Sequence, residues 1–230
     1  MTDGSLTLIM PVRDGARYIT EALDSVAAQD EPPARVIVVD DGSTDDSGSV
    51  AARHPLRPEV LVIPPGGIGA ARNRALVETT SEYVAFLDSD DLWSPDHCSV
   101  LTEPLRRDPG LAMVFGHAAQ FASPDLSTEE RETVHVPEGT MPALISGAMV
   151  ARRTVFEQIG VFETDLRVAE FISWTLRATD AGLRYAVLPE VVLHRRLHLS
   201  NIGRHRGDDR RLDYVRAIRA SLHRRRAGPA

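Results

Sequence analysis

Residues 83–93 read YVAFLDSDDLW, and residues 35–47 read RVIVVDDGSTDDS. Each stretch is an apolar run that breaks off at a cluster of carboxylates. Runs of four to six Val, Ile, Leu and aromatic residues without polar alternation are the pattern of strands buried on both faces, as in a parallel sheet. In open α/β sheets ligands sit beyond the carboxyl ends of the strands. Two acidic clusters at that edge suit a divalent cation and a diphosphate, because Mg²⁺ takes only one or two carboxylates together with substrate phosphates.

Working outward from these stretches, strands are predicted at Leu6–Val12, Arg35–Asp40, Glu59–Ile63, Glu82–Leu87 and Leu111–Phe121. Helical spacing falls between them at Ala16–Gln29, Thr44–Arg53, Ile68–Thr79 and Pro95–Arg107. Asp45 and Asp46 are expected to cap the second helix and Asp91 to cap the fourth. This alternation implies an α/β fold with a doubly wound, mainly parallel sheet flanked by helices. Residues 122–145, with Pro124, Pro137 and Pro142, read as an irregular flap. Beyond it come a strand near Gly147–Ala151, helices near Thr154–Ile159 and Val168–Ala181, and an apolar strand at Leu183–Leu193. An Arg-rich helical tail at Asp208–Arg225 ends the chain.

At 230 residues the chain fits one large domain with an extension. We read residues 1–200 as that domain, in two halves at 1–120 and 121–200, followed by a basic extension at 201–230. The single cysteine, Cys98, excludes an intramolecular disulfide and a cysteine-based zinc site. The chain has no Lys, and all 26 of its basic residues are Arg. With abundant Ala, this composition suggests a GC-rich bacterial genome. Neither a signal peptide nor an apolar run near the ~20 residues of a membrane span is visible, so a cytoplasmic protein is expected. The net charge of −7 is unevenly spread: residues 194–226 hold 11 Arg and 3 acids, while residues 1–193 hold 15 Arg and 30 acids. The basic tail suits packing on the acidic body, or a phosphate, an anionic acceptor or a membrane surface. No nucleic-acid partner is expected.

Four segments in order, MPVRDGARYITEALDSVAAQ, VIVVDDGSTDDS, GIGAARNRAL and YVAFLDSDDLWSPDH, resemble family 2 glycosyltransferases. The resemblance spans about residues 6–200 and implies the GT-A fold. It implies that Asp90 of the Asp88-Ser89-Asp90 motif binds Mn²⁺ or Mg²⁺ and that Asp88 approaches the donor ribose or the metal. Asp40 corresponds to a base-binding carboxylate. Pro11, Val12 and Arg13 would line the base pocket, although many relatives carry an aromatic and Asn where this chain has Arg13 and Asp14. Gly67 belongs to the glycine loop before the donor-side Arg72, which would contact base or phosphate, or pair with an Asp. Gly147 would lie beneath the donor sugar and acceptor. Arg195 or Arg196 would hold the diphosphate, and His198 matches a C-terminal metal or diphosphate ligand in a motif ending at Asn201.

The resemblance further implies a metal-dependent, inverting transfer of sugar from a nucleotide diphosphate sugar, UDP-linked by expectation. The acceptor is left open between a peptide, a natural product and a lipid-linked precursor. Inverting relatives carry Glu-Asp where this chain reads Glu170-Phe171, so Glu170 is the remaining candidate base. Trp174, one helical turn on, is either a sugar platform or a core residue. The substitution at Phe171 also motivates a second reading, a catalytically impaired binding module of the same fold. A sugar nucleotidyltransferase is a third, opposed by the absence of Lys and by VRDGARYI after the first strand.

Overall fold

The computed structural model of the protein describes residues 4–166, 168–199 and 207–227. Strand β1 (Leu6–Val12) is buried at every position. Both sheet faces are therefore covered, and alternation sends Leu8, Met10 and Val12 into one hydrophobic cluster and Ile9 into the other. Helix α1 (Ile19–Ala27) buries Ile19, Ala22, Leu23 and Val26 on one stripe. Next come β2 (Arg35–Asp40), α2 (Ser47–Arg53), β3 (Glu59–Val62), α3 (Ile68–Glu78) and β4 (Tyr83–Phe86). All three pairings in this half, β1 with β2, β1 with β4 and β2 with β3, are parallel.

The second half departs from that regularity. After β5 (Leu92–Trp93) and α4 (His97–Arg107), the long strand β6 (Leu111–Ala122) lies on the far side of β8 (Met149–Arg152) from β4. Strand β8 runs antiparallel to both β4 and β6. The 14-residue β9 (Arg184–Leu197) pairs parallel with β6 and antiparallel with β5. The sheet order is β3-β2-β1-β4-β8-β6-β9-β5. The sheet is thus parallel in its N-terminal half and mixed beyond it, because β8 runs antiparallel to both of its neighbours and β5 antiparallel to β9.

Residues 122–145 are more ordered than their prolines suggest. They contain α5 (Thr128–Thr133), opened by a capping box between Ser127 and Glu130, and a short β7 (Met141–Pro142) paired with β6. Helices α6 (Thr154–Ile159) and α7 (Glu170–Asp180) follow, and α8 (Gly207–Ala227) packs on α7. Asn201, the end of the His198 motif, lies outside the described residues. Trp174 is fully buried, stacks on Phe156 at 4.7 Å and donates its indole N–H to the Gly160 carbonyl at 3.0 Å. It is a core residue, not a sugar platform.

Candidate active site

The carboxyl ends of β1, β2 and β4 meet at one edge of the sheet, and their turns are locked to one another. Asp14, at a φ of 51°, accepts the Thr44 amide at 2.7 Å, while its own amide donates to Ser43 Oγ at 3.0 Å. Thr44 is used in this way, so α2 starts only at Ser47, with Asp45 accepting the Ser47 amide at 2.9 Å. Asp46 makes no side-chain cap. Gly42 has a φ of 67°, and a Cβ there would meet Pro65 at 2.6 Å. Only glycine satisfies both conditions.

A cavity of about 480 Å³ opens at this edge, lined by Pro11, Arg13, Asp41, the loop Pro65–Gly69, Thr164 and Leu166. Arg13 is half exposed and stands 4.0 Å from Asp41. Asp41 organises the glycine loop: its two oxygens accept the amides of Gly66 at 2.6 Å and Gly67 at 2.9 Å. Gly67 adopts a φ of 87° as the residue that opens α3. Two residues expected here are turned elsewhere. Val12 projects into the core on the opposite sheet face, because Pro11 takes the cavity side of the alternation. The buried carboxylate of Asp40 accepts the Ser43 amide at 2.8 Å and abuts Gly48, where a Cβ would come within 2.6 Å of it. Asp41, not Asp40, lines the cavity.

A second cavity, of about 270 Å³, shares Ile68 with the first. Its walls include Arg72, Asp88, Asp91, Ser146, Gly147, Glu170, Phe171, Arg195 and Tyr214. Arg72 is at its centre and only 1% exposed. Its guanidinium donates to Glu170 Oε1 at 2.7 Å, Asp88 Oδ1 at 2.9 Å and Ser146 Oγ at 2.8 Å. It also lies 5.6 Å from the centroids of both Phe86 and Phe162. A buried cation with two carboxylates, one hydroxyl and two rings is held in a single orientation. Arg72 therefore pairs with Asp88 and Glu170 rather than standing free for base or phosphate. Phe171, where relatives carry an acid, is buried in the aromatic cluster of Phe115, Phe162 and Trp174.

Gly147 is beside this group, and its carbonyl accepts the Trp93 indole N–H at 2.9 Å. A Cβ on Gly147 would meet a Leu193 methyl at 3.1 Å, and the glycine also lines the cavity. Asp90 Oδ2 is 2.9 Å from His198 Nε2, and the His198 ring packs on Tyr18 at 4.7 Å. Asp91 does not cap α4, whose N-cap is Asp96. It is buried instead and accepts the Arg196 amide at 2.8 Å, which ties the β4 turn to β9. Burial, then the charges of Asp90 and Asp88, push the Asp91 carboxyl well above the usual carboxylate range, with Arg195 opposing. Arg195 is 3.9 Å from Asp91. Arg196 serves the structure: it is buried, bonded to the Asp90 carbonyl at 3.0 Å and to Glu21 at 2.6 Å.

Among the described residues, no three His, Cys, Asp or Glu side chains form a ready-made metal cage. The donor set nevertheless fits Mn²⁺ or Mg²⁺. Asp88 and Asp90 offer partly exposed carboxylate oxygens, and His198 an adjacent ring nitrogen. Asp88, Asp90 and Asp91 together leave an excess of negative charge at this turn that a divalent cation would relieve. Such a site needs substrate phosphates to complete it.

Residues 7–160 match the family model for glycosyl transferase family 2. An uncharacterized glycosyltransferase of Rickettsia typhi is 29% identical over 82% of the chain and 64% of its own length. The succinoglycan biosynthesis protein ExoW of Rhizobium meliloti is 33% identical over 71% of the chain and 60% of its own length. The chain thus spans less than two thirds of either relative. Among solved structures, the mannosyltransferase PcManGT of Pyrobaculum calidifontis, in complex with GDP-Man and Mn²⁺, superposes with a TM-score of 0.72 at 24% identity, covering 98% of the chain and 65% of that structure. Residues 1–349 of S. aureus TarS, in complex with UDP, give a TM-score of 0.70 at 22% identity, over 96% of the chain and 65% of that structure. At these identities the structural likeness concerns the fold, which is GT-A.

Proposed function

The chain belongs to glycosyl transferase family 2, and from that membership we propose a metal-assisted, inverting transfer of sugar from a nucleotide diphosphate sugar. The observation that carries the proposal is the Arg72 cluster, which holds Asp88 and Glu170 together in a cavity adjoining a second one at the β1–β2 edge. The nucleotide would occupy the larger cavity, against Pro11, Arg13 and Asp41. Uridine is the favoured base, since a UDP complex is among the structural neighbours, although GDP-Man occupies another.

Arg72 fixes Glu170 through Oε1, so Oε2 is the oxygen assigned to take the acceptor proton. As the acceptor oxygen attacks the anomeric carbon, its proton passes to Glu170 and the bond between that carbon and the diphosphate oxygen breaks. Attack from the side opposite the leaving group inverts the configuration. Asp90, with Asp88 and His198 beside it, would hold a divalent cation that stabilises charge on the departing diphosphate. Arg195, at the rim of the same cavity, adds a positive charge toward that group.

The burial of Phe171 supports a second reading, a binding module that holds the nucleotide sugar without turnover. Release of nucleoside diphosphate from UDP-sugars in the presence of Mn²⁺ separates the two. Glu170→Gln keeps an oxygen for Arg72 and removes the base, so it should retain donor binding and lose turnover by roughly 10²–10⁴-fold. Full turnover by that variant would sink the assignment of Glu170 as base. Absence of turnover in wild type with a range of donors and acceptors would favour the binding module.

A further inference from the structure

Helix α8 has two unlike faces. One is tied to the body: Asp213, Ala217 and Ser221, spaced four apart, are buried. Asp180 at the end of α7 accepts from Ser221 at 2.9 Å, Arg224 at 2.9 Å and Arg225 at 2.7 Å. On the opposite face, Leu212, Val215, Ile218 and Leu222 are 60%, 41%, 50% and 49% exposed. Their spacing of three, three and four puts them in one row. Arg219 and Arg226 follow Val215 and Leu222 by four positions, so both stand in the same row and both are exposed.

We propose that this face of α8 docks on an anionic membrane surface. An apolar row on a soluble domain is a cost unless it is covered. Arginines within the row select what covers it. A second copy of the helix would bring the same cations face to face, and an apolar protein groove would strip their hydration. A bilayer interface of negative headgroups takes both components: the aliphatic residues and Arg stems enter the acyl boundary while the guanidinium heads stay among phosphates. The charge distribution supplies the orientation. Residues 207–227, the span of α8, hold 7 Arg and 3 acids, while residues 1–193 hold 15 Arg and 30 acids, so an anionic surface attracts the helix and repels the acidic body. Tyr214 on the same helix lines the cavity that holds Glu170. Docking would thus hold that cavity about one helix diameter, roughly 10 Å, from the headgroups.

The test is flotation of the whole chain with phosphatidylcholine vesicles and with vesicles of phosphatidylcholine plus phosphatidylglycerol, at low and high salt. The expected result is co-flotation with the anionic vesicles only, weakened by salt. Ile218→Ser/Leu222→Ser and, separately, Arg219→Ser/Arg226→Ser should each weaken it by about tenfold or more, with melting temperatures unchanged because all four side chains are exposed. No binding, equal binding to neutral vesicles, or binding unaltered in both variants would overturn the proposal. So would light scattering that shows a wild-type dimer dissociated by Ile218→Ser/Leu222→Ser, since the row would then be a self-interface.

Discussion

Replacing Arg72 by Met tests the physical core of the site. Glu170 is 5% exposed, and its interaction with the 1%-exposed Arg72 is a 2.7 Å ion pair. Without Arg72 a buried carboxylate has no cation, which in comparable cases costs about 3–5 kcal/mol. The bond to Asp88, whose side chain is 39% exposed, adds at most about 1 kcal/mol, because solvent screens it. The Ser146 hydroxyl adds about 1 kcal/mol. A total of about 4–7 kcal/mol is large against the ~5–15 kcal/mol stability of a typical domain, and it should appear as a lowered midpoint in urea. Glu170→Gln alone keeps the hydrogen bond and should cost about 1–3 kcal/mol. In the double variant Arg72→Met/Glu170→Gln the orphan charge is gone, so the losses should not add. Urea denaturation of the four proteins should give a coupling of about 1.5–3 kcal/mol. Additivity within about 0.5 kcal/mol would refute the claim that Arg72 and Glu170 act as one buried unit.

Three further outcomes follow from the packing. His97 is fully buried, stacked on Trp93 at 3.8 Å, and burial lowers its pKa from 6.5 to about 3. Between those values the unfolded chain binds the extra proton, so this stabilisation is full above pH 6.5 and is lost as pH falls toward 3. The stability difference between wild type and His97→Gln should therefore shrink by about 2 kcal/mol from pH 7.5 to pH 5; a constant difference would contradict a neutral His97. Gly42→Ala should cost about 1–3 kcal/mol, from the positive φ and the Pro65 contact, and an unchanged midpoint in urea would count against that turn. Asp180→Ala removes three bonds to α8 and should speed tryptic cleavage within residues 207–227, whereas equal cleavage rates would mean that apolar contacts alone hold the helix.

Much of this architecture is legible in the residues. The runs at 8–12, 36–39 and 83–86 are apolar throughout, and β1 and β2 fall at the predicted bounds. The Ser127-x-x-Glu130 spacing is a capping-box signature that identifies α5 even inside a proline-rich segment. The direction of β8 is not legible, since a short apolar strand reads the same in a parallel or an antiparallel pairing. Nor is the role of Arg72: its partners are 16, 74 and 98 residues away, and only the folded sheet brings them together. Asp40 and Asp41 illustrate the same limit. Which of two adjacent carboxylates faces the cavity depends on the φ of Gly42 and on the pinned glycine loop, and neither follows from the order of residues.

The proposed donor site depends on a metal held by Asp90. Thermal shift with UDP, GDP, TDP and CMP, each with and without Mn²⁺, on wild type and Asp90→Ala tests it directly. A ligand at 100 times its dissociation constant stabilises by about 2.7 kcal/mol, or roughly 5–10 °C for a chain of this size. The expected result is a Mn²⁺-dependent rise with one nucleoside diphosphate that disappears in Asp90→Ala. No rise with any nucleotide, or the same rise in the variant, would contradict it.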